Sequence, residues 1–112
     1  LLNKEITIFG GSQIRPNINI KDLVRVFEYF LKNNSKLKSG AYNAGFENIS
    51  IKKLSHIIKK IVQYKGKITF NKNFPDGTFK KNLNSNKIKK LGWSPKTSLK
   101  AGLKIVINSK LD

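Results

Sequence analysis

The sequence has no cysteine, no methionine, one histidine, three prolines and only six acidic residues against 23 basic ones in 112 positions. Each shortage removes a class of function. Without cysteine there is no disulfide framework and no thiolate chemistry, and with His56 as the sole histidine a zinc site is not expected. No apolar run approaches the roughly 20 residues that cross a bilayer, so a membrane is not an expected partner. A cysteine-free composition fits a cytoplasmic protein. The chain starts at Leu1, and Leu1-Leu2 is too short for the apolar segment of a signal peptide. The expectation is a piece of a longer chain, with one domain's worth of residues.

The formal net charge of +17 suggests nucleic acid first. The distribution argues against a dedicated site. Only Arg15 and Arg25 are arginines, the lysines are spread from Lys4 to Lys110, and aromatic residues do not interleave with them as base stacking requires. Lysine, asparagine and isoleucine are enriched together, a combination that AT-rich coding alone generates. Nonspecific attraction to nucleic acid at low salt is expected and specific recognition is not. A stand-alone basic nucleic-acid module remains the alternative of a different class.

Periodicity predicts an α+β fold with three or four helices and several short strands. Residues 5–9 alternate and carry β-branched side chains, Gly10-Gly11-Ser12 ends that strand, and residues 14–20 alternate again. From Asp22 to about Lys32 the apolar residues Leu23, Val24, Val26, Phe27, Phe30 and Leu31 recur at helical spacing, which predicts a broad buried stripe. Residues 41–45 read as a short strand, and Ser50 as the N-cap of an amphipathic helix. Gly66 is predicted to close that helix, and residues 67–70 to form the next strand. Asn84 or Ser85 is a candidate cap for a short helix through Leu91, stopped by Gly92. Ser98 begins a final helix with Leu99, Leu103, Val106 and Ile107 on its inner side.

The most informative stretch runs from Phe74 to Trp93. Pro75-Asp76-Gly77 sets a tight turn, because proline fixes φ and glycine accepts conformations that other residues resist. In an extended run after it, Lys80 and Lys81 point to opposite faces. With Tyr64-Lys65-Gly66-Lys67 upstream, the residues Pro75, Asp76, Gly77, Thr78, Lys81, Leu83, Leu91, Gly92 and Trp93 resemble the Pro-Asp-Gly-Thr-Pro-Arg-Lys-Leu-Leu-Asp and Leu-Gly-Trp pattern of the GDP-L-fucose synthases. That group lies in the extended short-chain dehydrogenase/reductase family, also called NAD-dependent epimerases/dehydratases. Ser98-Leu99 and Gly102-Leu103 match its closing Ser-Leu-x-x-Gly-Leu. Tyr42-Asn43-Ala44-Gly45 is similar to its Tyr-Asn-(Val/Ala)-Gly segment, and Arg15 matches the arginine before its His-Val-Asp-Asp-Leu. The departures are Pro16, Asn19, Lys21, Phe79, Lys80, Asn82 and Asn84.

The resemblance implies a substrate-binding domain over residues 1–112, cut from a two-domain Rossmann-type nucleotide-sugar enzyme and lacking the Rossmann part. It implies that Arg15 and Lys81 contact the diphosphate of a nucleotide sugar, with Lys80 as the second choice for charge and Asp76 lining the loop. A guanidinium stays charged and can hold two phosphate oxygens at once, whereas lysine at 80 keeps charge but not that fork. Phe9 stands either beside the sugar or as a buried strand residue. Asn43 either donates to the ligand or satisfies backbone at a strand end.

The Tyr-x-x-x-Lys pair of the family does not occur here, since Tyr29, Tyr42 and Tyr64 are followed four residues on by Asn33, Phe46 and Ile68. NADP or NAD is therefore expected to bind the missing N-terminal domain, and the segment alone is expected to be inactive. A GDP-4-keto-6-deoxymannose epimerase-reductase is the favoured activity and a GDP-sugar the favoured ligand, with another NDP-sugar epimerase or dehydratase as the alternative. The implied partners include the missing Rossmann domain, and the resemblance admits a homodimer of the full-length enzyme.

Overall fold

A computed structural model describes residues 4–74 and 77–111. Strand β1 (Ile6–Phe9) runs parallel to β4 (Ile68–Asn71), with Ile6 opposite Ile68 and Phe9 opposite Asn71. Strand β2 (Ile14–Asn17) is antiparallel to β3 (Glu47–Ser50), with Ile14 opposite Ser50 and Asn17 opposite Glu47. Around these two ribbons lie α1 (Ile20–Lys32), α2 (Ile51–Ile61), α3 (Asn86–Lys90) and α4 (Leu99–Leu111). The helix starts follow local chemistry. The Ser50 hydroxyl accepts from Lys53 N at 3.2 Å, the Asn19 side chain from Lys21 N at 2.9 Å, and the Ser98 hydroxyl from Ala101 N at 3.3 Å.

Three sequence expectations are corrected. Residues 41–45 are irregular, and the strand in this part of the chain is β3, two residues further on. The stop of α2 falls on Gln63 rather than Gly66: Gln63 adopts φ 52°, and Tyr64 N donates to Lys59 O at 3.0 Å across the helix end. That is a Schellman-type closure with a non-glycine residue in the left-handed position, which costs roughly 1 kcal/mol of backbone strain. Gln63→Gly is therefore expected to stabilise the protein by about 1 kcal/mol, measured by urea unfolding. The third correction concerns α1. Leu23, Val26 and Phe30 are half-buried as expected, but Val24, Phe27 and Leu31 on the same helix are 51, 65 and 81% exposed.

Those exposures follow from the shape. The molecule measures 54 × 36 × 15 Å, and its radius of gyration of 17.1 Å exceeds the value of about 13 Å for a compact chain of this length. A slab this thin has little interior. Among the described residues the buried large hydrophobics are Ile49 in β3, Ile88 in α3 and Trp93 just after it. Gly92, at φ 103°, stops α3 as its sequence position predicts, with its N–H on Lys89 O at 3.0 Å.

One charge holds two distant segments together. Asp22, in the first turn of α1, is 1% exposed, and its carboxylate accepts from Lys96 N at 3.1 Å, Thr97 N at 2.8 Å and the Arg25 guanidinium at 2.7 Å. Burial alone would push its pKa up. The donors from Thr97, Lys96 and Arg25 outweigh that and hold the carboxyl below its ordinary value. The start of α1 is thereby joined to the segment that leads into α4.

Candidate functional site

Of the residues singled out from sequence, the structure brings Arg15, Lys80 and Lys81 to one junction. Strand β2 uses one edge for β3 and the other for the segment after Gly77. Ile14 N donates to Phe79 O at 2.8 Å, and Lys81 N donates to Ile14 O at 3.1 Å, which makes a parallel bridge between Ile14 and Lys80. Parity then puts Ile14 and Lys80 on one side of the pairing and Arg15 and Lys81 on the other.

The bridge cannot lengthen, for a covalent reason. Backbone groups alternate along a strand, so the next N–H facing this edge would belong to residue 16, which is Pro16 and has none. The segment 77–83 is thus a strap, fastened at one residue of β2 and reinforced by side chains. The Arg15 guanidinium donates through Nη1 to Thr78 O and to Ile14 O, both at 2.8 Å. Gly77 takes φ 65°, and a Cβ there would stand 3.7 Å from Arg15 Nη2, so Gly77 lies against the guanidinium. At the far end of the strap Leu83 N donates to Asn48 Oδ1 at 3.0 Å, and Asn48 Nδ2 donates to Leu83 O at 3.3 Å.

The remaining candidates are placed as follows. Asp76 lies outside the described residues, as does Pro75. Phe9 is not a buried strand residue: it is 55% exposed and its ring meets Phe74 with centroids 4.3 Å apart, tilted by 34°. Because Phe74 directly precedes the turn, this aromatic pair stands where the loop leaves β4, while Arg15 stands where it returns. Asn43 is exposed in the irregular segment before β3, beyond the end of β2 at which Phe46 N donates to Asn17 O at 2.8 Å. Nothing there draws it toward Arg15, which pairs with Ile49. The neighbours of that segment are Lys87, 4.0 Å above the Tyr42 ring and bonded to Ala41 O at 2.9 Å, and Ser85. The Ser85 hydroxyl accepts from Gly45 N at 2.9 Å rather than capping α3.

Sequence reasoning missed Asn48, whose role follows only from its register opposite Pro16. Beside it opens a polar cleft of about 350 Å³ lined by Asn48, Asn82, Asn84, Asn86 and Lys89 among others. Among the described residues there is no group of three or more histidine, cysteine or carboxylate side chains that could hold a metal. Likewise, no described helix is long and apolar enough to cross a membrane. His56, with Nδ1 2.7 Å from Lys52 O and its ring stacked 5.9 Å from Phe70, is a packing residue.

No family model matches the chain. Comparison with individual proteins does find relatives. The chain is 34% identical over 100 residues to a probable GDP-L-fucose synthase 1 of Oryza sativa, covering 88% of this chain and 30% of that protein. It is 37% identical over 99 residues to a GDP-L-fucose synthase of Sinorhizobium fredii, covering 88% of this chain and 31% of that one. Among solved structures, a GDP-mannoheptose C4 reductase from Campylobacter jejuni with NADP bound superposes with a TM-score of 0.86 at 30% identity, over 100% of this chain and 36% of the other. The chain thus spans about a third of the length of the curated relatives it matches. In sequence and in backbone it belongs, as a segment, to the GDP-L-fucose synthase branch of the short-chain dehydrogenase/reductase family.

Proposed function

We propose that this chain is the C-terminal, nucleotide-sugar-binding domain of an NADP-dependent GDP-sugar epimerase-reductase, and that the strap junction holds the diphosphate. The observation that carries the reading is the Ile14–Lys80 bridge, with Arg15 bonded to Thr78 O, which brings Lys81 to the same side of this edge of β2 as Arg15. Two cations on one side of this edge, Arg15 and Lys81, match the two negative charges of a nucleotide-sugar diphosphate, which accepts strong hydrogen bonds from each. Arg15 and Lys81, on the same side by parity, are the principal pair and Lys80 the auxiliary. Phe9, with Phe74 against it, offers an apolar face to the hexose.

The nicotinamide cofactor supplies hydride in such enzymes, and its site belongs to the N-terminal domain. The glycine pair in this chain suits that assignment. Gly10-Gly11 leads into strand β2 rather than a helix, so its amides do not form the turn-to-helix cradle that a pyrophosphate needs. The contribution of this chain is positional: fixing the nucleotide end sets where the sugar carbon meets the cofactor, which lowers the entropic part of the barrier. The uncovered apolar residues on α1, Val24, Phe27 and Leu31, support a larger body packed on this slab.

In the full-length protein, GDP-4-keto-6-deoxymannose is expected to drive NADPH oxidation, followed by the fall of absorbance at 340 nm. Duplex DNA at physiological salt should not inhibit it. If duplex DNA binds with sub-micromolar affinity while GDP-sugars do not bind, the enzyme reading fails.

A further inference from the structure

We propose that Asn48 is a positioning residue for the diphosphate site, acting through the strap rather than on the ligand. This rests on the reading above that Lys81, beside Arg15, faces the diphosphate. The strap carries both lysines, and its backbone joins β2 at Ile14 alone, because Pro16 has no N–H for the next rung. Past that point the strap would leave the sheet with its amides in water. Asn48, the register partner of Pro16, instead takes hold of the strap two residues beyond Lys81. Its carboxamide accepts from Leu83 N at 3.0 Å and donates to Leu83 O at 3.3 Å, an arrangement in which one side chain imitates a neighbouring strand.

Lys80 and Lys81 therefore lie between two fixed points. Arg15 and Ile14 hold the entry to the strap, and Asn48 holds its exit. A carboxamide does this where an apolar side chain would not, because both its donor and its acceptor face a single residue. The Leu83 side chain is held as well, since a Cβ on Gly45 would come within 3.0 Å of Leu83 Cδ2. Releasing the exit leaves the lysines chemically intact but spreads them over many positions, so binding weakens in proportion to the time the strap spends in place.

The test uses the full-length enzyme and an Asn48→Ala variant with GDP-4-keto-6-deoxymannose as substrate. Loss of two exposed hydrogen bonds is expected to raise KM about tenfold, with kcat at saturation and the melting temperature close to the parent. Asn48→Gln, which keeps both amide groups, should recover part of the loss. Hydrogen exchange without ligand gives an independent reading: the Leu83 amide should exchange about tenfold faster in Asn48→Ala. An unchanged KM in a folded variant overturns the proposal, and so does a fall in kcat and melting temperature together, which would mark a structural role. If the parent enzyme binds no GDP-sugar but Leu83 exchange still accelerates, the strap mechanics stand and the assigned ligand is what fails.

Discussion

Arg15→Ala is expected to raise the dissociation constant for a GDP-sugar on the order of a hundredfold, read by calorimetric titration of the full-length enzyme. Two losses combine. A charge-assisted bond to phosphate contributes about 1.5–3 kcal/mol, so its removal accounts for roughly tenfold to a hundredfold. The same guanidinium also donates to Thr78 O at 2.8 Å, so its removal frees the entry of the strap that carries Lys80 and Lys81. Arg15→Lys separates the two effects, because it restores charge without the planar fork and should fall between the parent and alanine. Lys81→Ala is expected to cost about tenfold, while Lys52→Ala, on the exposed face of α2, should cost nothing measurable at physiological salt. Parent-like affinity in the Arg15→Ala, Lys81→Ala double variant would remove the diphosphate site from this edge of β2.

The second large effect is on stability. Asp22→Ala is expected to destabilise the protein by about 3 kcal/mol in urea unfolding, the lower end for breaking a buried pair. The lower end applies because the Arg25 side chain is 31% exposed and can turn to water, whereas the amides of Lys96 and Thr97 lose their acceptor. The pH dependence has a definite sign. The carboxyl is held below its ordinary pKa in the folded protein, so its contribution is complete above the unfolded value of about 3.9 and is lost as pH falls through the folded value. The parent should therefore lose stability more steeply than Asp22→Asn on acidification below about pH 4. Parallel curves would show that the Asp22 carboxylate does not couple α1 to the segment before α4.

Much of the local structure was legible because local rules govern it. Ser50 and Ser98 cap helices where their positions predict, and Gly92 ends α3 because a left-handed residue was required. The misreadings share a cause of longer range. Ser85 looks like a cap until its hydroxyl is claimed by Gly45, 40 residues away. Gln63 takes a conformation suited to glycine because the chain must turn back toward β4 at that point. The stripe on α1 was expected to be buried on periodicity alone, yet periodicity reports only that a face is apolar and not that this chain covers it. Arg15, Lys80 and Lys81 stood out as candidates because their chemistry is visible in one dimension. Asn48 did not, because its significance depends on lying opposite a proline.

The thinness of the slab bears on how its sequence can change. With a 15 Å minimum dimension, nearly every position has a path to water, and Asp22 is the one described ionisable residue that is buried. A lysine introduced by mutational drift can lay its methylenes along an apolar face and keep its ammonium wet, so it meets little selective resistance. The excess of positive charge is thus what the architecture tolerates nearly everywhere, while the proposed diphosphate site would draw on it at only a few places.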